Sequence, residues 1–272
     1  MKIAFIGGGN MAAALISGLA GKLTDGAGIH VVDPNPEALG RLQSAYGVTT
    51  AAAIDASVVI ADVLVLAVKP QQLRDVAEAL APLLARGAPL IVSIAAGIRA
   101  VDLSRWLGGY GAIVRCMPNT PALVKQGITG MVAMPGVTVA QRDEADAVMA
   151  AVGKTVWLAD EALIDPVTAV SGSGPAYVFY FIEAMQQAAE ELGLTEEQGR
   201  ELAIATFSGA AQLAAESNET VAVLRERVTS KGGTTYAALT SMQAAGVKEA
   251  IIAAVKAAAA RGRELGDELG KA

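Results

Sequence analysis

Over the first 160 residues the apolar positions fall in short, almost unbroken runs at 2–6, 29–33, 63–68, 90–96, 112–117 and 128–134, with 154–158 as a late edge candidate. Segments of helical spacing separate them, at 10–21, 36–46, 70–85, 99–107 and 139–152. An unbroken apolar run suits a strand buried on both faces. Its alternation with helices predicts an α/β fold with a mainly parallel sheet covered on both sides. After Asp160 the strand runs stop, and 162–170, 175–192, 196–217, 220–228, 236–245 and 247–269 all read as helices. Pro175 suits a first helical turn, and Thr195 followed by Gln198 spells a capping box. The pattern divides the chain into an α/β domain over 1–160 and an all-helical domain over 161–272.

The helix predicted at 175–192 carries Tyr177, Phe179, Tyr180 and Phe181. Aromatics on nearly consecutive positions point around a helix, so they cannot all face one core. One face meets something else. A second copy of the chain is the simplest partner; packing on the first domain is the alternative.

The turn after the first run reads Gly7-Gly8-Gly9-Asn10-Met11-Ala12, which fits G-x-G-x-x-G/A with Ala12 in the last slot. Gly7 permits a tight turn from strand to helix. Gly9 has no Cβ, so a pyrophosphate can approach the backbone, and Ala12 is small enough for close helix–strand packing. The helix that follows aims free N–H groups and its positive dipole end at the phosphates. The second run ends in Asp33, where a ribose-binding acid belongs. These features predict a Rossmann-like dinucleotide site, set against a plain strand–turn–helix with no ligand. A secretion signal is the competing reading of the same stretch, with Lys2 ahead of an apolar run. Three glycines and Asn10 break that run where a signal would be continuous.

Composition narrows the classes. The chain has 272 residues, 53% of them hydrophobic, with a net charge of −6. No Lys/Arg stripe suggests a nucleic-acid partner. No stretch approaches the roughly 18 uninterrupted apolar residues of a membrane span; the longest candidate, 58–68, carries Asp62. One cysteine, Cys116, permits no internal disulfide and one histidine, His30, permits no His/Cys zinc site. A Ser-His-Asp triad would have to use His30, beside a strand start, where a structural histidine is the plainer reading. A cytoplasmic protein is expected.

Four further stretches stand out. Ala67-Val68-Lys69-Pro70 ends the third run, and ligands of open α/β sheets bind at the carboxyl ends of strands. Lys69 there either reaches ribose or phosphate or is a solvated strand-end charge. Arg115-Cys116-Met117-Pro118-Asn119-Thr120-Pro121-Ala122 ends the fifth, with two prolines fixing an irregular loop. Ser171-Gly172-Ser173-Gly174-Pro175 precedes the aromatic helix. In 228–235, two glycines flanked by hydroxyls at a helix start make an anion nest.

With the glycine-rich turn, "AVKP", "RCMPNTPA", "VSGSGPAYVF" and "VTSKGGTT" follow the order and spacing of pyrroline-5-carboxylate reductase, and the chain resembles that family from end to end. The resemblance implies a Rossmann domain with a helical dimerisation domain, working as a homodimer or a multiple of dimers. It implies hydride transfer from NADPH or NADH to the C=N bond of 1-pyrroline-5-carboxylate, giving L-proline. Thr235 matches the threonine that hydrogen-bonds the ring nitrogen, the expected catalytic residue. Ser230, Gly233 and Thr234 match the carboxylate-binding loop, with Met117 and Pro118 completing the substrate set. The cofactor set is Gly7, Gly9, Asn10, Met11, Asp33, Ala67, Val68, Lys69, Pro70, Ala95 and Asn119. In the family the glycine–threonine loop of one subunit lies near the cofactor of the dimeric assembly.

Two departures stand out. Lys231 occupies a place where many members have proline. Asp33 would repel a 2′-phosphate, whereas the family commonly uses NADPH, so use of both cofactors stays open. Three rival readings stand beside this one. A β-hydroxyacid dehydrogenase needs a lysine early in the helical domain, and none occurs between Lys154 and Lys231. A reductase of another cyclic imine differs only in pocket size. A non-catalytic dinucleotide-binding protein would lack the threonine-rich nest.

Overall fold

The computed structural model describes residues 1–271. The first part runs β1 (Ile3–Ile6), α1 (Asn10–Leu19), β2 (Ile29–Val32), α2 (Pro36–Tyr46), β3 (Thr49–Ala51), β4 (Val63–Leu66), α3 (Pro70–Leu80), β5 (Leu90–Ser93), α4 (Ala100–Trp106), β6 (Ile113–Met117), β7 (Gly127–Ala133), α5 (Val139–Ala150) and β8 (Gly153–Trp157). Helices follow: α6 (Ile164–Val167), α7 (Gly174–Glu191), α8 (Glu196–Glu216), α9 (Val221–Arg227), α10 (Thr234–Ala244) and α11 (Val247–Lys271). The strands form one sheet in the order β3-β2-β1-β4-β5-β6-β7-β8. Only the β6–β7 pair is antiparallel. The expected mainly parallel sheet is therefore present, with strand order reversing at β1, which lies between β2 and β4.

Alternate residues of each strand feed two apolar layers. Ile3, Phe5, Val65 and Val92 pack on one face with Leu15 of α1 and Val148 of α5. Ala4, Leu64, Leu66 and Ile91 pack on the other with Leu73 of α3 and Leu103 of α4. On α3 the buried positions are Leu73, Ala77 and Leu80, the one-sided spacing of a helix lying on a sheet.

Several elements differ from the sequence expectation. Strand β3 carries no apolar run; it is a three-residue edge pairing. The helix expected over 70–85 stops at Leu80 and tightens to a 3₁₀ turn over Ala81–Arg86, because Pro82 brings no N–H and crowds the preceding turn. The helix expected over 162–170 is a 3₁₀ turn at Glu161–Leu163, then α6, then a π turn over Thr168–Gly172.

Arg115 on β6 is 4% exposed. Its Nη1 donates to Glu161 Oε1 at 2.8 Å, and the same oxygen accepts the Ala100 N–H at 2.7 Å. Glu161 thus caps α4, whose preceding residue Arg99 supplies no capping side chain.

The chain forms two compact units. One is Met1–Ser173 with the chain from Ala258 onward; the other is Gly174–Ala257. The first unit thus extends past residue 160 and takes back the end of α11, where Arg105 Nη2 donates to the Gly270 carbonyl at 2.8 Å and Arg99 pairs with Asp267. In the second unit α7 and α8 meet at Gly199, where a Cβ would stand 3.1 Å from the Ala189 methyl, and Phe181 packs on Phe207 at 6.4 Å. Only Gly199 and Ala203 of this unit are buried, while Phe179 and Tyr180 are 65% and 71% exposed. Helices that bury two small residues have no core of their own, so a further surface must cover them.

Two outcomes are expected. Removing the guanidinium in Arg115→Met leaves the half-buried Glu161 without its ion-pair partner and should lower stability by about 1–3 kcal/mol, read from urea unfolding at fixed protein concentration. Tyr180→Asp puts a charge on the apolar face and should shift the sedimentation profile from dimer or larger to monomer; an unchanged profile would free that face from any self-interface.

Candidate active site

The crevice forms where β1 and β4 end side by side. Gly7, after β1, has φ +103°, and a Cβ on it would stand 2.5 Å from the Ala67 carbonyl oxygen, so only glycine fits. Two residues on, Gly9 is the N-cap of α1, in an extended conformation with no side-chain cap, and a Cβ there would meet nothing within 4 Å. The first N–H groups of α1 have no intrahelical partner, and no acidic residue sits in the first turn. By contrast α2, α5, α8 and α9 are each capped by a side chain, from Asn35, Thr138, Thr195 and Thr220. The open space over Gly9, beneath a bare helix start, fits a pyrophosphate.

The cleft here has a volume of about 700 Å³. Gly7, Gly9, Asp33, Ala67, Val68 and Lys69 line it together. Asn10 and Met11 open α1, and Pro70 opens α3, on its flanks. Asp33 is held at both oxygens: Gly8 N–H donates to Oδ2 at 2.7 Å and Asn35 N–H to Oδ1 at 2.8 Å. Asn35, Gln72 and Asp75 also line the cleft and were not anticipated. Asn35 was readable, since an asparagine directly before Pro36 is an N-cap signal; Gln72 and Asp75 carry no motif.

Ala95, Met117, Pro118 and Asn119 are not among the residues lining this cleft. Ala95 is buried beyond β5, and the other three sit at and beyond the end of β6. The Asn119 carboxamide is engaged within the protein: its oxygen accepts the Ile128 N–H at 2.9 Å and its nitrogen donates to the Ser171 carbonyl at 3.1 Å. It ties the proline loop to β7 and to the π turn. Gly172 of that turn lies against Met117, whose Cε would be 2.7 Å from an added Cβ. Cys116 is buried, and burial, then the charge of Asp146, pushes its thiol far up, so it is no nucleophile.

Ser230, Gly233, Thr234 and Thr235 belong to the second unit. Gly232 turns at φ +75°, Gly233 N–H donates to the Ser230 carbonyl at 3.0 Å, and Gly233 is the N-cap of α10 without a side-chain cap. Thr234 and Thr235 are its first helical residues, Thr235 half-buried, and no acid stands in that turn. This is a second glycine-capped helix start with free donors. Lys231 is exposed beside it.

A family model described as pyrroline-5-carboxylate reductase dimerisation matches residues 161–265, and one described as NADP oxidoreductase, coenzyme F420-dependent, matches 2–97. The pyrroline-5-carboxylate reductase of Pseudomonas aeruginosa is 47% identical over 270 residues, covering 99% of this chain and 98% of that one. The chain belongs to the pyrroline-5-carboxylate reductase family. The Haemophilus influenzae reductase is 42% identical, with 97% of each chain covered. Among solved structures, the Coxiella burnetii reductase aligns at TM-score 0.92 and 41% identity over 97% of this chain and 98% of that one. The Plasmodium falciparum pyrroline carboxylate reductase, with NADP bound, aligns at 0.86 and 27% over 98% of each. The resemblance read from the sequence motifs and the match to the dimerisation model agree with a reductase that self-associates.

Gly9→Ala is the direct probe of the crevice. Its extended backbone admits alanine, so stability should change by less than about 1 kcal/mol. The methyl fills the space over the helix start, so dinucleotide affinity should fall roughly tenfold or more, measured by calorimetric titration.

Proposed function

We propose that this reductase converts 1-pyrroline-5-carboxylate to L-proline with NADPH or NADH, the last step of proline biosynthesis. The observation that carries the reading is the pair of glycine-capped helix starts, at Gly9 and Gly233, in a chain where α2, α5, α8 and α9 are closed by side chains. The substrate has one carboxylate and the cofactor one pyrophosphate, and each requires such an anion-binding end. Membership of the family supplies the reaction.

The bound nicotinamide supplies the hydride. Hydride adds to the ring carbon of the C=N bond and a proton to its nitrogen, so the chain's part is orientation, charge and delivery of that proton. Gly7, Gly9, Asn10 and Met11 would hold the pyrophosphate, with Asp33 at the ribose and Ala67, Val68, Lys69, Pro70, Ala95 and Asn119 along the cofactor. Asn119 would act there by fixing its loop. Ser230, Gly233 and Thr234 would take the substrate carboxylate, with Met117 and Pro118 against the ring. The Thr235 hydroxyl would hydrogen-bond the ring nitrogen, orienting it and relaying the proton as the amine forms. Thr235 is the second residue of α10, and a hydroxyl there is carried on the first turn of a helix rather than on a loose loop. Among the described residues no helix is long and apolar enough to cross a membrane. A cytoplasmic site of action belongs to this reading, supported by the sole thiol, Cys116, being free and buried.

Pure protein should oxidise NADH or NADPH only when pyrroline-5-carboxylate is added; no substrate-dependent oxidation with either would refute the activity. Thr235→Val keeps the side-chain shape and should lower kcat by roughly 10²–10³. Thr235→Ser should retain most of the rate, and dinucleotide binding without substrate should be unaltered in both. Equal rates for the valine variant and the parent would leave proton delivery to solvent.

A further inference from the structure

We infer that the pinned carboxylate of Asp33 makes this reductase select NADH over NADPH. The inference rests on the proposed activity but concerns only how this chain's own crevice discriminates between the two dinucleotides.

Asp33 follows β2 and lines the crevice. Each of its oxygens already accepts one backbone N–H, from Gly8 at 2.7 Å and Asn35 at 2.8 Å. A carboxylate oxygen accepts more than one hydrogen bond, so Asp33 can still take the hydroxyls of an unsubstituted ribose. It has no hydrogen to give. A 2′-phosphate is mostly a dianion at neutral pH, and the dianion offers only acceptors. Acceptor would meet acceptor, and charge would meet like charge.

A mobile acid could turn away; this one cannot turn without breaking a bond. Gly8 lies between Gly7, which only glycine can occupy, and Gly9, the cap of α1. Asn35 is fixed in turn, because its own Oδ1 accepts the Glu37 N–H at 2.9 Å and that of Ala38 at 3.4 Å. Those same bonds close the start of α2, which would otherwise be the nearest set of donors for a phosphate. Pro36 at the first helical position has no N–H, and Glu37 adds a further negative charge to that turn.

Little in the crevice offsets Asp33. Lys69 is the one cation among its lining residues, where Asp75 adds a second carboxylate and no arginine is present. Fork-shaped recognition of a phosphate is therefore missing. The Plasmodium falciparum relative binds NADP; at the end of β2 this chain carries its own answer.

The experiment measures kcat/KM for NADH and for NADPH in the parent and in Asp33→Asn, together with affinity for each dinucleotide without substrate. Asparagine keeps an acceptor for the Gly8 N–H and removes the charge. The parent should favour NADH by roughly tenfold or more, and Asp33→Asn should raise the NADPH/NADH ratio by a similar factor, chiefly through KM. A merely structural role would weaken both cofactors alike and leave the ratio unmoved. A parent that prefers NADPH, or a ratio unchanged in the variant, overturns the inference. Should the variant fail to fold, the parent's own ratio decides. If the parent binds NADH more tightly yet never reduces pyrroline-5-carboxylate, the proposed activity fails and the selection stands.

Discussion

The close pass of the turn after β1 over the Ala67 carbonyl is the constraint on which the first unit's chemistry depends. With a Cβ excluded at Gly7, the chain crosses from β1 to α1 directly above the end of β4. The start of α1 is thereby delivered to the point where strand order reverses, and its unpaired N–H groups face the crevice instead of bulk water. Asp33 reinforces this placement by accepting the Gly8 N–H, so the end of β2 and the turn after β1 move as one piece. The sheet thus supplies a rigid floor, and the recognition groups are backbone donors that need no side-chain ordering when a ligand arrives.

How much of this could be read beforehand depended on where each feature's cause lay. Buried parallel strands are spelled locally, by runs such as Val63-Leu64-Val65-Leu66, and these were legible. Thr49-Thr50-Ala51 has no such run; it is a strand only because β2 offers an edge to pair with. The glycine-rich turn and the acid after β2 were visible as a motif, yet the two bonds that immobilise Asp33 required coordinates. The π turn at Thr168–Gly172 is contacted by Asn119 and Met117, about fifty residues earlier, a contact that no local pattern announces. Asn119 itself was read as a cofactor residue from its motif, whereas its carboxamide is turned inward to the protein.

The helical unit follows a different logic. Its aromatic residues signalled an unmet surface in the sequence, and the structure shows why: apart from Gly199 and Ala203 nothing in it is buried. Self-association is then part of folding, since helices this short of apolar cover gain most of their stability from packing. The bare start of α10 lies in this same unit.

The last turns of α11 belong to the first unit, held by Arg99, Arg105 and the packing of Leu269 beside α4. On a ribosome the sheet strands all emerge before residue 160, but the turns that cover α4 emerge more than a hundred residues later. The nascent dinucleotide domain therefore waits, with part of its apolar layer uncovered, until residues 258–271 have been translated. Vectorial synthesis builds this sheet early and covers it a hundred residues later, which makes the interval between the two a period of exposure to chaperones and proteases.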